Sequence, residues 1–267
     1  MSSNVTGFTG NIPEHYDKGL GPVLFVDYAD DIARRTAAFA PKRVLETAAG
    51  TGFVTRRLRD LMPAAEITAT DLNAPMLQRA AAKFTPKDKI KFQPADATAL
   101  PFPDKAFDTV VCQFGIMFYP DKEKSYREAH RVLAPGGRYL FSVWDSLAHN
   151  PFGRIVHGVA CSFFAVDPPQ FYQTPFGYYK IDPIKEALLD AGFRDIAISV
   201  VRKEKTIADP AALARGAVFG NPFIDQIKAR GGIDPDQVVE AVREALVREF
   251  GKSPLPLQAI VFEAIKR

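Results

Sequence analysis

The chain has 267 residues, of which 47% are hydrophobic and 24% are charged, a profile typical of a globular protein. Its 34 basic and 31 acidic side chains leave a formal net charge of +3, too small to indicate binding to nucleic acid or to an anionic membrane. The two cysteines cannot form a disulfide framework, and no stretch has the length and hydropathy of a membrane span. We therefore expect a cytoplasmic protein.

The first 146 residues divide into two predicted segments. Residues 1–40 begin with many Gly, Asn and Pro residues, and apolar residues follow at helical spacing over 22–40, which predicts an N-terminal arm and a lid helix. Over residues 41–146, strand and helix patterns alternate as in a parallel sheet, with helices expected at 51–60, 73–84 and 121–133. The predicted strands are KRVLETA, EITATD, KIKFQPAD, FDTVVCQF and RYLFSVW.

The second half of the chain returns to the same alternation after an interruption. Residues 147–180 are rich in aromatic residues and broken by Pro and Gly, which indicates an inserted cap. Residues 181–267 supply a further helix, the strands RDIAISVVRKEK and QAIVFEAIKR, and a helical insertion at about 208–250. The pattern predicts an α/β fold with a seven-stranded, Rossmann-like sheet.

The stretch VLETAAGTGFVT joins the first strand to a glycine-rich turn. A dinucleotide-binding turn needs G-x-G-x-x-G, but Thr55 stands where the third glycine would follow Gly50 and Gly52. A phosphate-binding P-loop is excluded because no Gly-Lys-Ser/Thr follows. Glu46 would also repel a phosphate. The turn therefore predicts a ligand that carries a cation and no phosphate.

S-adenosylmethionine fits this requirement because it has an ammonium, a sulfonium and a carboxylate. Glu46 could hold the cationic end electrostatically or through water, and the turn Gly50–Thr51–Gly52 would let the backbone approach the amino-acid portion. The amide groups at the start of the following helix favour the ligand's carboxylate.

Further candidate contacts follow the next strands, whose carboxyl ends meet at one edge of a parallel sheet. Asp71 ends the second strand, where its carboxylate could accept hydrogen bonds from ribose hydroxyls. The remaining predicted contacts are Leu72 and Met76 on the adenine face, Asp96 and Ala97 near the adenine amine, and Gln113 near the methionine portion.

The segments VLETAAGTG, ITATDLNAPML, QPADATALPFPDKAFDTVVCQFGIMFYPD and EAHRVLAPGGRYLFSVW resemble the class I S-adenosylmethionine-dependent methyltransferases. The likeness is strongest over residues 40–145 and to the type 11 group, which includes ubiquinone/menaquinone C-methyltransferases. It implies six parallel strands and a reversed last one, helices on both faces, and S-adenosylhomocysteine as product. It implies cofactor contacts at Glu46, Gly50, Gly52, Asp71, Asp96 and Gln113. Ala48 stands where the group usually has a first glycine, and Tyr16 could reach the cofactor from an upstream Tyr-Asp pair.

The acceptor predicted from the sequence is a small, lipophilic or aromatic metabolite, methylated on oxygen or carbon. Its candidate contacts are Phe114, Met117, Phe118 and Trp144. A general base is required only for a protonated acceptor; the candidates are His15, His149 and His157. No metal is expected, because no His pair has ligand spacing, and no nucleic-acid partner is expected. A monomer and a homodimer are both open. The alternative functions are a non-catalytic S-adenosylmethionine-binding protein of this fold and an NAD-dependent oxidoreductase.

Overall fold

The computed structural model describes residues 7–164 and 166–267, which divide into two compact units. The unit that we call the core unit contains residues 27–143, 179–201 and 260–267. The second, which we call the helical unit, contains the described residues up to 26, together with 144–178 and 202–259. All the predicted cofactor contacts except Tyr16 lie in the core unit. Each unit combines three separate ranges of the chain, so the two units do not coincide with the consecutive segments predicted from the sequence.

Seven strands form one sheet in the order β3-β2-β1-β4-β5-β7-β6, with six strands parallel and β7 reversed. They are β1 (Arg43–Glu46), β2 (Glu66–Asp71), β3 (Ile90–Pro94), β4 (Phe107–Gln113), β5 (Leu133–Trp144), β6 (Phe193–Lys205) and β7 (Leu255–Lys266). The α/β class and the seven strands predicted from the sequence are confirmed. Glu46 pairs with Ala69 on one side and with Val111 on the other, so the carboxyl ends of β1, β2 and β4 lie side by side.

The core unit has helices on both faces of its strands, as expected. They are α2 (Val26–Ala37, from its second residue), α3 (Phe53–Leu61), α4 (Ala74–Ala81), α5 (Lys122–Val132) and α7 (Ile181–Asp190). Leu140 of β5 packs in a buried cluster with side chains of α2 and α3. The next residue, Phe141, points to the opposite face and lies 5.7 Å from the ring of Tyr126 on α5.

The helical unit contains α1 (Ile12–His15), a π-helical segment (Tyr16–Phe25), α6 (Pro151–Phe163), α8 (Pro210–Phe219), α9 (Phe223–Arg230) and α10 (Pro235–Phe250). The π-helical segment and α8 approach closely at two glycines: a Cβ atom on Gly216 would lie 2.9 Å from backbone atoms of Gly19. Within the described ranges, no helix combines the length and the apolarity that a bilayer crossing needs.

Several element boundaries differ from those predicted. The helix after the glycine turn begins at Phe53 and not at Thr51, because Gly52 has a left-handed φ of 85° that no helical residue adopts. The third strand ends at Pro94, two residues before Asp96, whose side chain bonds to the following turn. The helix predicted for residues 121–133 ends at Val132, and β5 begins at the next residue, Leu133, so that it includes the APGG stretch.

The N-terminal segment is more regular than the arm predicted for residues 1–21. Helical structure begins at Ile12 and runs without a break to Ala37, through the π-helical turns that contain Pro22. The expectation for residues 1–6 lies outside the described residues. Gly19, Gly21 and Pro22 thus belong to a π-helical segment, in which the backbone of α8 approaches Gly19 closely.

Candidate functional site

The turn after β1 holds three residues with left-handed backbone conformations. Ala48 has a φ of 51°, Gly50 of 55° and Gly52 of 85°. Glycine adopts such angles without steric cost, whereas alanine does so at about 1–2 kcal/mol. Backbone hydrogen bonds fix the turn to its neighbours, because the Thr47 amide donates to the Val111 carbonyl and the Ala49 amide to the Thr70 carbonyl, both at 2.9 Å.

Glu46 lies at the base of this turn and is almost completely buried. Its Oε2 accepts a hydrogen bond of 2.6 Å from Thr55 Oγ1. Burial raises the pKa of Glu46 to about 8, and the nearby Asp71 carboxylate adds to the rise. In the ligand-free protein at neutral pH, Glu46 is therefore mostly protonated, a state that the sequence did not indicate.

Asp71, at the end of β2, is hydrogen-bonded to the same turn. One of its carboxylate oxygens accepts a hydrogen bond of 2.9 Å from the Gly50 amide, and the other accepts one of 2.8 Å from the Asn73 amide. Burial raises the pKa of Asp71, while these amide bonds act in the opposite direction. An ionised carboxylate has about four acceptor positions, so Asp71 keeps the capacity to accept further hydrogen bonds from a ligand.

The start of α3 offers hydrogen-bond donors to a ligand. Gly52, the N-cap residue of α3, has no side chain to cap the helix, and in the first turn the Glu46 carboxyl accepts a hydrogen bond from the Thr55 backbone. Thr51 is buried, and its Oγ1 has no hydrogen-bond partner within residues 7–164 and 166–267. Lys83 Nζ donates to the Thr51 carbonyl at 2.8 Å and does not engage the Thr51 hydroxyl.

The other predicted cofactor contacts occupy varied surroundings. Met76 is buried, and its Cε would lie 3.6 Å from a Cβ atom placed on Gly50. Leu72 is 61% exposed beside Asp71, so its apolar side chain is open to a ligand. Asp96 is exposed and accepts two hydrogen bonds from Thr98. Ala97 and Gln113 are half-buried, and Gln113 pairs with Ser142 of β5.

The predicted acceptor contacts of the core unit follow β4. Phe114 is buried and has a left-handed φ of 53°, an unusual conformation for an aromatic residue. Its ring packs edge-on against Tyr28 at 5.4 Å. Met117 is buried and Phe118 is half-buried, both on the 3-10 turn Ile116–Phe118.

Comparisons with known proteins agree with this geometry. Residues 45–141 match the family described as "Methyltransferase domain". The chain is 42% identical over 117 residues to a demethylmenaquinone methyltransferase of Thermus thermophilus, a match that covers 43% of this chain and 53% of the relative. It is 43% identical over 101 residues to a ubiquinone/menaquinone biosynthesis C-methyltransferase of Hahella chejuensis, covering 36% of this chain and 41% of the relative.

Residues 45–141 thus match a family of methyltransferase domains, and we call this stretch the methyltransferase domain. The chain spans about half the length of the curated relatives that it matches. A solved structure with the same fold is phosphoethanolamine N-methyltransferase 2 of Haemonchus contortus in complex with S-adenosyl-L-methionine. That structure aligns with a TM-score of 0.61 at 19% identity, over 98% of this chain and 58% of the other. The likeness shows the fold alone.

The residues of the methyltransferase domain fit its cofactor chemically. Glu46 and Asp71 are two buried carboxylates in one small region, and a cationic ligand would allow both to ionise. The uncapped start of α3 and the unpartnered Thr51 hydroxyl suit a ligand carboxylate. The glycines at 50 and 52 leave the backbone open to close approach.

The methyltransferase domain also holds a polar group that sequence reasoning missed. Tyr119 Oη donates a hydrogen bond to Thr47 Oγ1 and lies at hydrogen-bond distance from Cys112 Sγ, both at 3.4 Å. The partners are separated by up to 72 positions in the chain, so no local pattern joins them.

Tyr16 and Trp144, predicted to contact cofactor and acceptor, both lie in the helical unit, where Phe25 connects them. The Tyr16 ring stacks on Phe25 at 4.8 Å, and Phe25 lies 6.3 Å from Trp144. Trp144 in turn lies 5.9 Å from Phe176. Tyr16, Phe25, Trp144 and Phe176 therefore form one aromatic cluster within this unit.

The three candidate histidine bases belong to the helical unit. His15 packs 5.5 Å from Phe219, and burial, with Arg215, lowers its pKa. His149 is exposed. His157 Nε2 lies 3.8 Å from Cys161 Sγ on the same helix. Within the described residues, no group of three or more His, Cys, Asp or Glu side chains could hold a metal ion.

Proposed function

We propose that the protein transfers the methyl group of S-adenosylmethionine to carbon or oxygen of a small, lipophilic or aromatic acceptor. The observation that carries this proposal is the pair of buried carboxylates, Glu46 and Asp71, beside the uncapped start of α3. This arrangement suits a ligand with a positive charge and a carboxylate in the same molecule. It does not suit the pyrophosphate of NAD, which Glu46 would repel when ionised.

The bound cofactor supplies a methyl group already activated by its sulfonium, so the protein has mainly to bind and align the reactants. In this proposal, Asp71 accepts hydrogen bonds from the ribose while its other contacts hold Gly50 and Asn73. Glu46 loses its proton when the cation arrives and then stabilises it electrostatically, with Thr55 keeping the carboxylate oriented. Gln113 and the side chain of Met76 border the remaining ligand surface.

The acceptor class is inferred from the residues after β4 and from the relatives. Phe114, Met117 and Phe118 give this segment an apolar character, which favours an aromatic or lipophilic acceptor. The matched relatives are named for demethylmenaquinone and for ubiquinone/menaquinone biosynthesis. Because quinols are aromatic and lipophilic, they are the first acceptors to examine here. A carbon that carries electron density from a neighbouring phenolate needs no metal for methyl transfer.

Methyl transfer is tested with radiolabelled S-adenosylmethionine and a panel of quinols, phenols and aliphatic amines. We expect label in a quinol or phenol product with the wild-type protein, and at least tenfold less with Asp71→Asn, which keeps the size of the side chain but removes its charge. Transfer only to amines would contradict the proposed acceptor class. Cofactor binding without transfer to any acceptor would support the non-catalytic alternative instead.

A further inference from the structure

Three hydrogen-bonding side chains meet at the carboxyl ends of β1 and β4. Tyr119 Oη donates to Thr47 Oγ1 at 3.4 Å and lies 3.4 Å from Cys112 Sγ. Cys112 and Thr47 are buried, and Tyr119 is partly buried. The three residues come from β4, from the turn after β1 and from the end of the 3-10 turn after β4, so one hydroxyl group connects three backbone segments.

Protonation fixes the direction of these hydrogen bonds. Burial raises the pKa of Cys112 and of Tyr119, so both groups keep their protons at neutral pH. Tyr119 has a single proton, which it donates to Thr47, and its oxygen can then accept from the Cys112 thiol. Burial is the largest cause of the rise in the Tyr119 pKa, and Cys112 and the Asp71 carboxylate add to it.

The connected segments contain the two strained residues of the candidate site. Ala48, directly after Thr47, has a φ of 51°, and Phe114, two residues after Cys112, has a φ of 53°. A non-glycine residue pays a steric cost for such a conformation, and it persists only where the surroundings hold it. Strained residues of this kind concentrate where a ligand binds.

The packing around Gly115 shows how closely these groups converge. A Cβ atom on Gly115 would clash with the Ala48 methyl group, and would lie 2.9 Å from Cys112 Sγ and 3.3 Å from Tyr119 Oη. The space that a side chain at position 115 would fill is thus occupied by Ala48 and by the sulfur and oxygen of the hydrogen-bonded group. Ala48 and Tyr119 therefore both border Gly115, and the hydrogen bond from Tyr119 to Thr47 joins Tyr119 to the residue directly before Ala48.

We propose that Tyr119 is a positioning residue for the cofactor: its hydroxyl ties Thr47 to Cys112 and so holds Ala48 and Phe114 in the conformations that the bound cofactor requires. This inference rests on the proposed function. A purely structural role would affect only stability. The proposed role also makes the Tyr119 hydroxyl increase ligand affinity, by an amount that depends on the residue at position 48. Glycine at that position adopts a positive φ freely and does not need to be held.

The test is a double-mutant cycle on the dissociation constant for S-adenosylhomocysteine, measured by isothermal titration calorimetry. Tyr119→Phe removes only the hydroxyl, and we expect it to raise the dissociation constant by about 3- to 10-fold, the range for one hydrogen bond. In a protein that already carries Ala48→Gly, Tyr119→Phe should change the dissociation constant by less than about twofold. Thr47→Val, which removes the acceptor, should reproduce the effect of Tyr119→Phe.

Tyr172→Phe is the matched control. The Tyr172 hydroxyl is also buried and donates a hydrogen bond of 2.8 Å, but to the Ala217 carbonyl in the helical unit. Its loss should lower the melting temperature and leave the dissociation constant unchanged. If Tyr119→Phe behaves in the same way, or raises the dissociation constant equally with alanine and with glycine at position 48, Tyr119 is merely structural. Failure of the wild-type protein to bind S-adenosylhomocysteine would instead overturn the proposed function.

Discussion

Replacing Glu46 by glutamine should stabilise the ligand-free protein at alkaline pH while weakening cofactor binding. Glu46 is buried, and its pKa in the folded protein is about 8, compared with an ordinary value of 4.5. The folded protein therefore holds this proton more tightly than the unfolded chain does. The contribution of Glu46 to stability is complete below about pH 4.5 and is lost as the pH rises towards 8.

The size of the effect follows from the difference between the two pKa values. A rise from 4.5 to about 8 corresponds to at most about 5 kcal/mol of folding free energy. About 3 kcal/mol of this is lost between pH 5.5 and pH 8. Glutamine has no charge to desolvate and can still accept the hydrogen bond from Thr55. Between these pH values, the free energy of unfolding should therefore fall by up to about 3 kcal/mol more in the wild type than in Glu46→Gln.

The assay is urea denaturation of both proteins without cofactor, at several pH values from 5.5 to 8. Glu66→Gln, which changes an exposed glutamate at the start of β2, is the matched control for a lost carboxylate. If the difference between wild type and Glu46→Gln does not change with pH, Glu46 is already ionised in the empty site. The argument that a ligand cation draws out its proton would then be wrong.

Three further predictions concern the same turn and the helical unit. Cofactor affinity of the wild type should rise about tenfold from pH 7 to pH 9, because Glu46 must ionise, and this dependence should vanish in Glu46→Gln when binding is measured by calorimetry. Gly115→Ala should lower the free energy of unfolding by about 1–3 kcal/mol in urea titrations, because the new methyl group would clash with that of Ala48. Adding Ala48→Gly should recover part of this loss, and an equal loss with alanine and with glycine at position 48 would contradict the contact. Gly216→Ala should cost about 1–3 kcal/mol in thermal denaturation, because its Cβ would lie 2.9 Å from the Gly19 backbone, and an unchanged melting temperature would show that the segments do not approach so closely.

The parts of the candidate site that could be predicted are those encoded locally. Glu46 and the glycines at 50 and 52 lie within seven positions, directly after an apolar strand, and Asp71 ends the next strand. Parallel pairing then brings strand ends together without further information. Apolar runs, or apolar residues that alternate with polar ones, predicted all seven strands, although β3 and β6 bury few side chains.

The parts that could not be predicted depend on contacts between distant residues. The Tyr119 hydroxyl meets Thr47 across 72 positions, and nothing near Tyr119 in the chain indicates that partner. Gly19 looked like a component of an irregular arm, whereas its role depends on Gly216, nearly two hundred positions later. The protonation of Glu46 also escaped prediction, because burial and not residue type sets its pKa.

Isothermal titration calorimetry of the wild-type protein with S-adenosylmethionine, S-adenosylhomocysteine and NAD tests the central claim most directly. The account predicts micromolar binding of both sulfur ligands and no binding of NAD. It also predicts at least tenfold weaker binding of both in Asp71→Ala, with circular dichroism showing that the variant is folded. No binding of either sulfur ligand to a folded protein that is free of co-purified cofactor would contradict the claim, as would binding of NAD.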